Sequence, residues 1–212
     1  VVYRGALVAK ESGQPGNPIR LTSDPSWGAG EAAIYGSEAL QGGWARGATR
    51  KEIPEPEKVW WQDLPFAPRN VWMIDRAGQI VRLPLARTPN WTVSNPDDVK
   101  SEWWQWNYPT GPHFDVFTKT ARGTQLHLGI DTEHLTREPE YYQDAIIRTE
   151  YGWVMSNPYP ARVQLVDTER RGLGFDGPLG GVGSRKIVKG NRYFLEDKPH
   201  YLDDPRGEFW FD

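Results

Sequence analysis

Hydrolysis of a glycosidic bond needs two carboxylates facing each other across the sugar, one as acid and the other as base or nucleophile. Acids are plentiful in this chain: Glu38, Asp115, Asp131, Asp167, Asp176, Asp203, Asp204 and Glu208. Glu38 follows a strand-like run and precedes Trp44, and Glu208 lies in a strand-like run beside Trp210. These two are the candidate catalytic residues. Spacing alone does not say which acids converge, and a turn acid or a solvated strand residue is the plainer reading of each.

Aromatic side chains offer a second kind of chemistry. Trp60, Trp61, Trp91, Trp103, Trp104, Trp106 and Tyr108 crowd into one stretch. A flat indole or phenol face attracts the apolar C–H side of a pyranose, while its polar edge can still bond. Trp60, Trp61, Trp104 and Tyr108 are the candidate substrate-binding residues. Packing inside a small β-core is the plain alternative for each. The start signal Ser94-Asn95-Pro96-Asp97-Asp98 predicts a helix running to Trp106. That helix would put Val99, Trp103 and Trp106 on the core-facing side and leave Trp104 pointing elsewhere.

Other chemistries find less support. The four histidines, His113, His127, His134 and His200, are scattered, and none has the i, i+4 spacing of a zinc helix. No metal site and no cofactor is expected. Arg192, Lys198 and His200 could serve a uronate lyase, but no calcium-type carboxylate cluster accompanies them. The glycine-rich stretches near Gly172 and Gly177 lack a phosphate-loop pattern. Asn90-Trp91-Thr92 matches the glycosylation sequon.

The elements that must position these residues are short. The chain has 212 residues with 11 Trp, 22 Gly, 18 Pro and no Cys, and its formal net charge is −3. Proline and glycine at this density break helices and multiply turns. The near-neutral balance shows no basic stripe, so no nucleic-acid partner is expected. No apolar run is long enough for a membrane helix. Strands are expected at Tyr3 to Val8, Ile19 to Ser23 and Ala33 to Tyr35, with turns between them. The charged, proline-rich segment from Lys51 to Lys58 suggests a boundary. Hairpins are expected around Asp75-Arg76-Ala77-Gly78 and around Ala121-Arg122-Gly123. A short helix is expected within Thr132 to Asp144, interrupted by Pro139. A strand is expected from Ala161 to Val166, and a glycine-rich loop from Arg170 to Gly183. The chain opens on Val1 to Val8 and closes on Gly207 to Asp212, both strand-like. Such ends leave edges that proteins usually cover, so the expectation is one section of a longer polypeptide, or a subunit completed by another chain.

Two stretches carry a resemblance. Tyr3-Arg4-Gly5, continuing through Gly13, Gly16-Asn17-Pro18-Ile19, Ala33-Ile34-Tyr35-Gly36-Ser37-Glu38 and Gly43-Trp44, resembles the opening coils of right-handed parallel β-helix proteins of the pectate-lyase-like superfamily. Asn191-Arg192-Tyr193-Phe194-Leu195-Glu196 through Asp203-Asp204-Pro205-Arg206-Gly207-Glu208-Phe209-Trp210-Phe211-Asp212 is similar to a segment of secreted β-helix glycoside hydrolases that precedes their main helix. The resemblance implies an all-β fold. Residues 1–50 would form opening β-helix coils, 51–189 an irregular β-rich insert with one or two short helices, and 190–212 a return to the coil. It further implies an extracellular or cell-envelope bacterial protein acting on a polysaccharide or oligosaccharide, as part of a glycoside hydrolase. In those families the catalytic acids generally sit on later coils. A non-catalytic glycan-binding or structural β-helix module is the rival from another class, and a self-contained β-sandwich is a third possibility.

Overall fold

The computed structural model describes residues 2–4, 12–18, 26, 33–35, 37–48, 50–107, 117–152, 158–176 and 187–212. The chain divides into two compact units, Val1–Trp44 and Ala45–Asp212. It is mostly β with little helix, as the composition implied. Among the described residues the strands form neither a closed barrel nor a solenoid.

In the first unit, β1 (Val2–Arg4) and β2 (Ala33–Tyr35) pair in parallel, with Val2 opposite Ala33 and Arg4 opposite Tyr35. A parallel pair cannot be joined by a tight hairpin and needs a long connection. The strand expected at Ile19 to Ser23 lies outside the described residues.

The second unit begins with a small ribbon, β3 (Ala45–Arg46) against β4 (Trp60–Trp61). The charged segment from Lys51 to Lys58 is the excursion between these two strands, closed by hydrogen bonds from Gly47 N to Val59 O and from Ala48 N to Pro56 O. Next comes the hairpin of β5 (Val71–Ile74) and β6 (Ile80–Leu83). It turns where the sequence predicted: Asp75 Oδ1 accepts the backbone N–H groups of Ala77 and Gln79, and Gly78 has φ +79°.

The remaining strands are β7 (Arg87–Thr88), β8 (Trp104–Gln105), β9 (Phe117–Lys119), β10 (Gln125–Ile130), β11 (Ile146–Thr149), β12 (Tyr159–Asp167), β13 (Gly172–Phe175) and β14 (Arg192–Glu196). They build one antiparallel sheet in the order β7-β14-β11-β12-β13-β10-β9, with β8 also on β14. β7 pairs with Leu195 and Glu196, and β8 with Arg192 and Tyr193, so the two share one side of β14. β14 thus lies within this sheet, bonded on one side to β11 and on the other to β7 and β8. Beyond β8, Asn107 N–H donates to Ile130 O, bringing this stretch against the end of β10.

The main core cluster collects on one face of the sheet, while Leu126, Leu128 and Ile130 of β10 are buried on the other. Ile147, Val163, Leu173, Phe175, Tyr193 and Leu195 are buried on the first face with Tyr142 and Tyr201 around Trp106. Alternation explains the selection: in β11, Ile147 and Thr149 are buried while Ile146 and Arg148 are only partly covered. β14 is covered on both faces, because Trp103 packs edge-on against Phe194 at 4.6 Å on the side away from Trp106.

Three local expectations are corrected. No helix forms between Ser94 and Trp106. The segment runs through successive turns into extended β8, so side chains alternate with a period of two. Trp104 and Trp106 therefore both contact Tyr193, and Trp103 goes the other way. Val99 is exposed. Pro139 opens the single-turn helix α1 (Pro139–Tyr142) instead of interrupting one, since the first helical position needs no N–H. The glycine-rich loop begins with β13, a fully buried strand.

Candidate functional site

Glu38 lies in the first unit and is exposed. Glu208 lies in the second, and the two candidate acids therefore belong to different units. The Glu208 carboxylate closes the turn of residues 203–208. Its Oε2 accepts the backbone N–H groups of Asp203 at 3.2 Å and Asp204 at 3.1 Å, and its Oε1 accepts that of Arg87 at 3.4 Å. The turn holds Gly207 at φ +106°, where an added Cβ would also lie 3.0 Å from Leu83 Cδ2. Arg206 clasps Asp204 and reaches Thr92 Oγ1 at 3.1 Å. Burial pushes the Glu208 carboxyl up from 4.5 to about 7; the three backbone donors oppose the shift and Asp203 adds to it. Asp203 is also raised, chiefly by burial.

This shift has a measurable sign. With its pKa raised, native Glu208 keeps a proton that the unfolded chain gives up. Its contribution to stability is complete below about pH 4.5, falls as pH rises, and is lost above about 7. Glu208→Gln should flatten that fall. Between about pH 5 and pH 8 the wild type should lose about 1 kcal/mol more stability than the variant, a figure discounted for the solvent that reaches the group. Parallel melting-temperature curves for the two proteins would contradict the assignment.

Beside this turn lies a buried cation. The Arg87 guanidinium sits 3.6 Å above the Phe194 ring centroid, with Trp91 and Trp103 at 5.2 and 5.4 Å. Its Nε donates to Pro89 O at 2.9 Å. Burial lowers its pKa to about 10, with Glu196 and Glu208 opposing the change. The aromatic faces substitute for the carboxylate such a cation usually meets.

The candidate aromatic residues fall into three situations. Trp60 is 60% exposed and Trp61 45% exposed. As neighbours on a strand they face opposite sides of the ribbon, and the Trp61 indole N–H donates to Gly47 O at 3.0 Å, which fixes its ring. Trp104 is half-buried, and one of its ring faces is taken by His134, stacked at 5.0 Å and 14°. Tyr108 lies outside the described residues.

A group that spacing did not single out surrounds Asp131. This fully buried carboxylate follows β10 and accepts five hydrogen bonds. Its Oδ1 takes the backbone N–H groups of Glu133 at 3.0 Å and His134 at 3.1 Å, and Asn107 Nδ2 at 3.4 Å. Its Oδ2 takes Tyr193 OH and His134 Nδ1, each at 2.8 Å. The Tyr193 phenol is held well above its usual pKa by burial and by this carboxylate, so it remains a donor. His134 lines a cleft of about 280 Å³ together with Trp103, Gln105, Trp106, Asn107, Glu133, Lys189 and Gly190. The available signal was an acid at a strand end with a histidine three residues on, in a turn where the acid bonds its own backbone. The zinc-type spacing test passes over that pattern.

Among the described residues no group of three or more His, Asp or Glu side chains could hold a metal ion, and no helix is long and apolar enough to cross a membrane. No family model, no curated protein and no solved structure matches the chain. The site must be read from its chemistry.

Proposed function

We propose that this chain serves a carbohydrate-active protein of the glycoside-hydrolase kind, and that its own contribution is to bind polysaccharide. The observation that carries the reading is the pair Trp60 and Trp61, two large apolar rings left in solvent on opposite faces of a ribbon braced by its backbone. A buried core gains nothing from such rings, whereas a pyranose C–H face stacks on them. Trp72 and Trp91, both about half exposed, are further solvent-facing rings of this unit.

The parallel pairing of β1 with β2 supports a first unit built as the opening coils of a right-handed β-helix, with the second unit as its β-rich insert. An extracellular or cell-envelope bacterial setting goes with that reading. A second reading places bond cleavage in this chain as well. It is favoured by Glu208, whose pKa near 7 suits a general acid. Its three backbone donors argue for a bracing role instead.

Trp60→Ala and Trp61→Ala should each weaken binding to a retained polysaccharide by about five-fold, close to 1 kcal/mol, in affinity electrophoresis against a panel of neutral and acidic polymers. Melting temperature should hardly change for Trp60→Ala, whose ring is mostly in solvent. Full retention by the double variant would sink the reading.

A further inference from the structure

The Asp131–His134 pair has a geometry that bracing alone does not require. Both Asp131 oxygens already accept hydrogen bonds from other donors, so the network places the ring hydrogen on His134 Nδ1. One ring face is covered by Trp104 and Nδ1 is tied to Asp131, yet the side chain remains 33% exposed. What it turns to solvent is the Nε2 side, a lone pair held in a fixed direction. Around it the cleft is lined by the half-buried Trp103 and the exposed residues Gln105, Glu133 and Lys189. The cleft is at the small end of ligand sites.

Resting on the glycan reading above, we infer that this cleft is a separate subsite for one neutral sugar residue, with His134 Nε2 accepting a hydroxyl hydrogen. Neutrality follows from the charges: among the described lining residues, Glu133 on the cleft wall and Asp131 behind His134 stand against one cation, Lys189. A uronate carboxylate brought here would meet more negative charge than positive. Lys189 can donate to a hydroxyl, Glu133 can accept from one, and Gln105 can do both.

The test uses the full chain with ¹⁵N-labelled histidine, titrated with a neutral xylo-oligosaccharide and separately with an oligogalacturonate, and His134→Gln to assign the resonance. The expected spectrum of the free protein has the His134 hydrogen on Nδ1. The neutral sugar should shift Nε2, and the uronate oligomer should leave it in place. Glu133→Ala and Lys189→Ala, both surface changes, should each weaken neutral-sugar binding several-fold while leaving Trp60- and Trp61-dependent polymer retention intact. A hydrogen on Nε2 would overturn the acceptor role, and a shift with the uronate alone would overturn the charge assignment. If polymer is retained through Trp60 and Trp61 while neither oligosaccharide moves His134, the subsite fails and the glycan reading stands. If no saccharide of any kind binds, both fall.

Discussion

Trp106→Ala should cost the second unit about 3 to 5 kcal/mol, measured by denaturant unfolding. The indole is fully buried and lies flat on Tyr193, with centroids 3.7 Å apart and planes within 2°. Its N–H donates to Thr149 Oγ1 at 2.9 Å. Truncation leaves a cavity and an uncovered tyrosine, and takes from the Thr149 hydroxyl the donor it accepts from, leaving it only its own bond to Glu150 O at 3.0 Å. The converse change tests the same contact. Gly129 has no side chain because a Cβ there would lie 2.6 Å from the Trp106 ring, so Gly129→Ala overpacks the site at about 1 to 3 kcal/mol. Ordinary stability in Trp106→Ala would mean that the core is organised around some other residue.

Lys100→Met should destabilise the unit by roughly 3 kcal/mol, by stranding a charge. Glu150 is buried, with Oε1 on Lys100 Nζ at 2.7 Å and Oε2 on the Arg192 backbone N–H at 2.9 Å. Without the ammonium the carboxylate keeps one partner in a low-dielectric setting. Pairing the change with Glu150→Leu should recover most of the loss, because an apolar pair needs no compensation. A double variant no better than Lys100→Met would place the cost in packing instead of charge.

The same ion pairs explain where the sequence misled. Ser94 to Asp98 has the chemistry of a helix start, but those side chains serve turns: Asn95 Oδ1 accepts Asp97 N–H and Asp98 Oδ1 accepts Lys100 N–H. Asp98 and Lys100 are then claimed by Arg192 and Glu150, far along the chain. Local capping signals carry no information about such long-range partners. β13 was illegible for the opposite reason. Gly172 and Gly174 look like loop residues, yet they are small because an added Cβ would lie 2.9 Å from Leu128 Cδ1 in one case and 3.0 Å from Thr118 Cγ2 in the other.

The hairpins at Val71–Leu83 and Phe117–Ile130 were legible because turn residues and alternation agree there. At the candidate site, aromatic abundance pointed to Trp60 and Trp61, whose exposure fits that reading. The Asp131–His134 pair was missed because its meaning depends on Tyr193 and Asn107, which only the folded sheet brings to it.

The division of the tryptophans into buried and solvent-facing rings has an optical consequence. Trp106, sealed against Tyr193, should emit toward the blue and resist iodide, while Trp44, Trp60, Trp61, Trp72 and Trp91 should emit toward the red and quench readily. Among the described tryptophans, with Trp103, Trp104 and Trp210 between these extremes, iodide thus sorts the emission into two fluorescence channels. One reports loss of the fold, and the other reports whatever comes to rest on its surface.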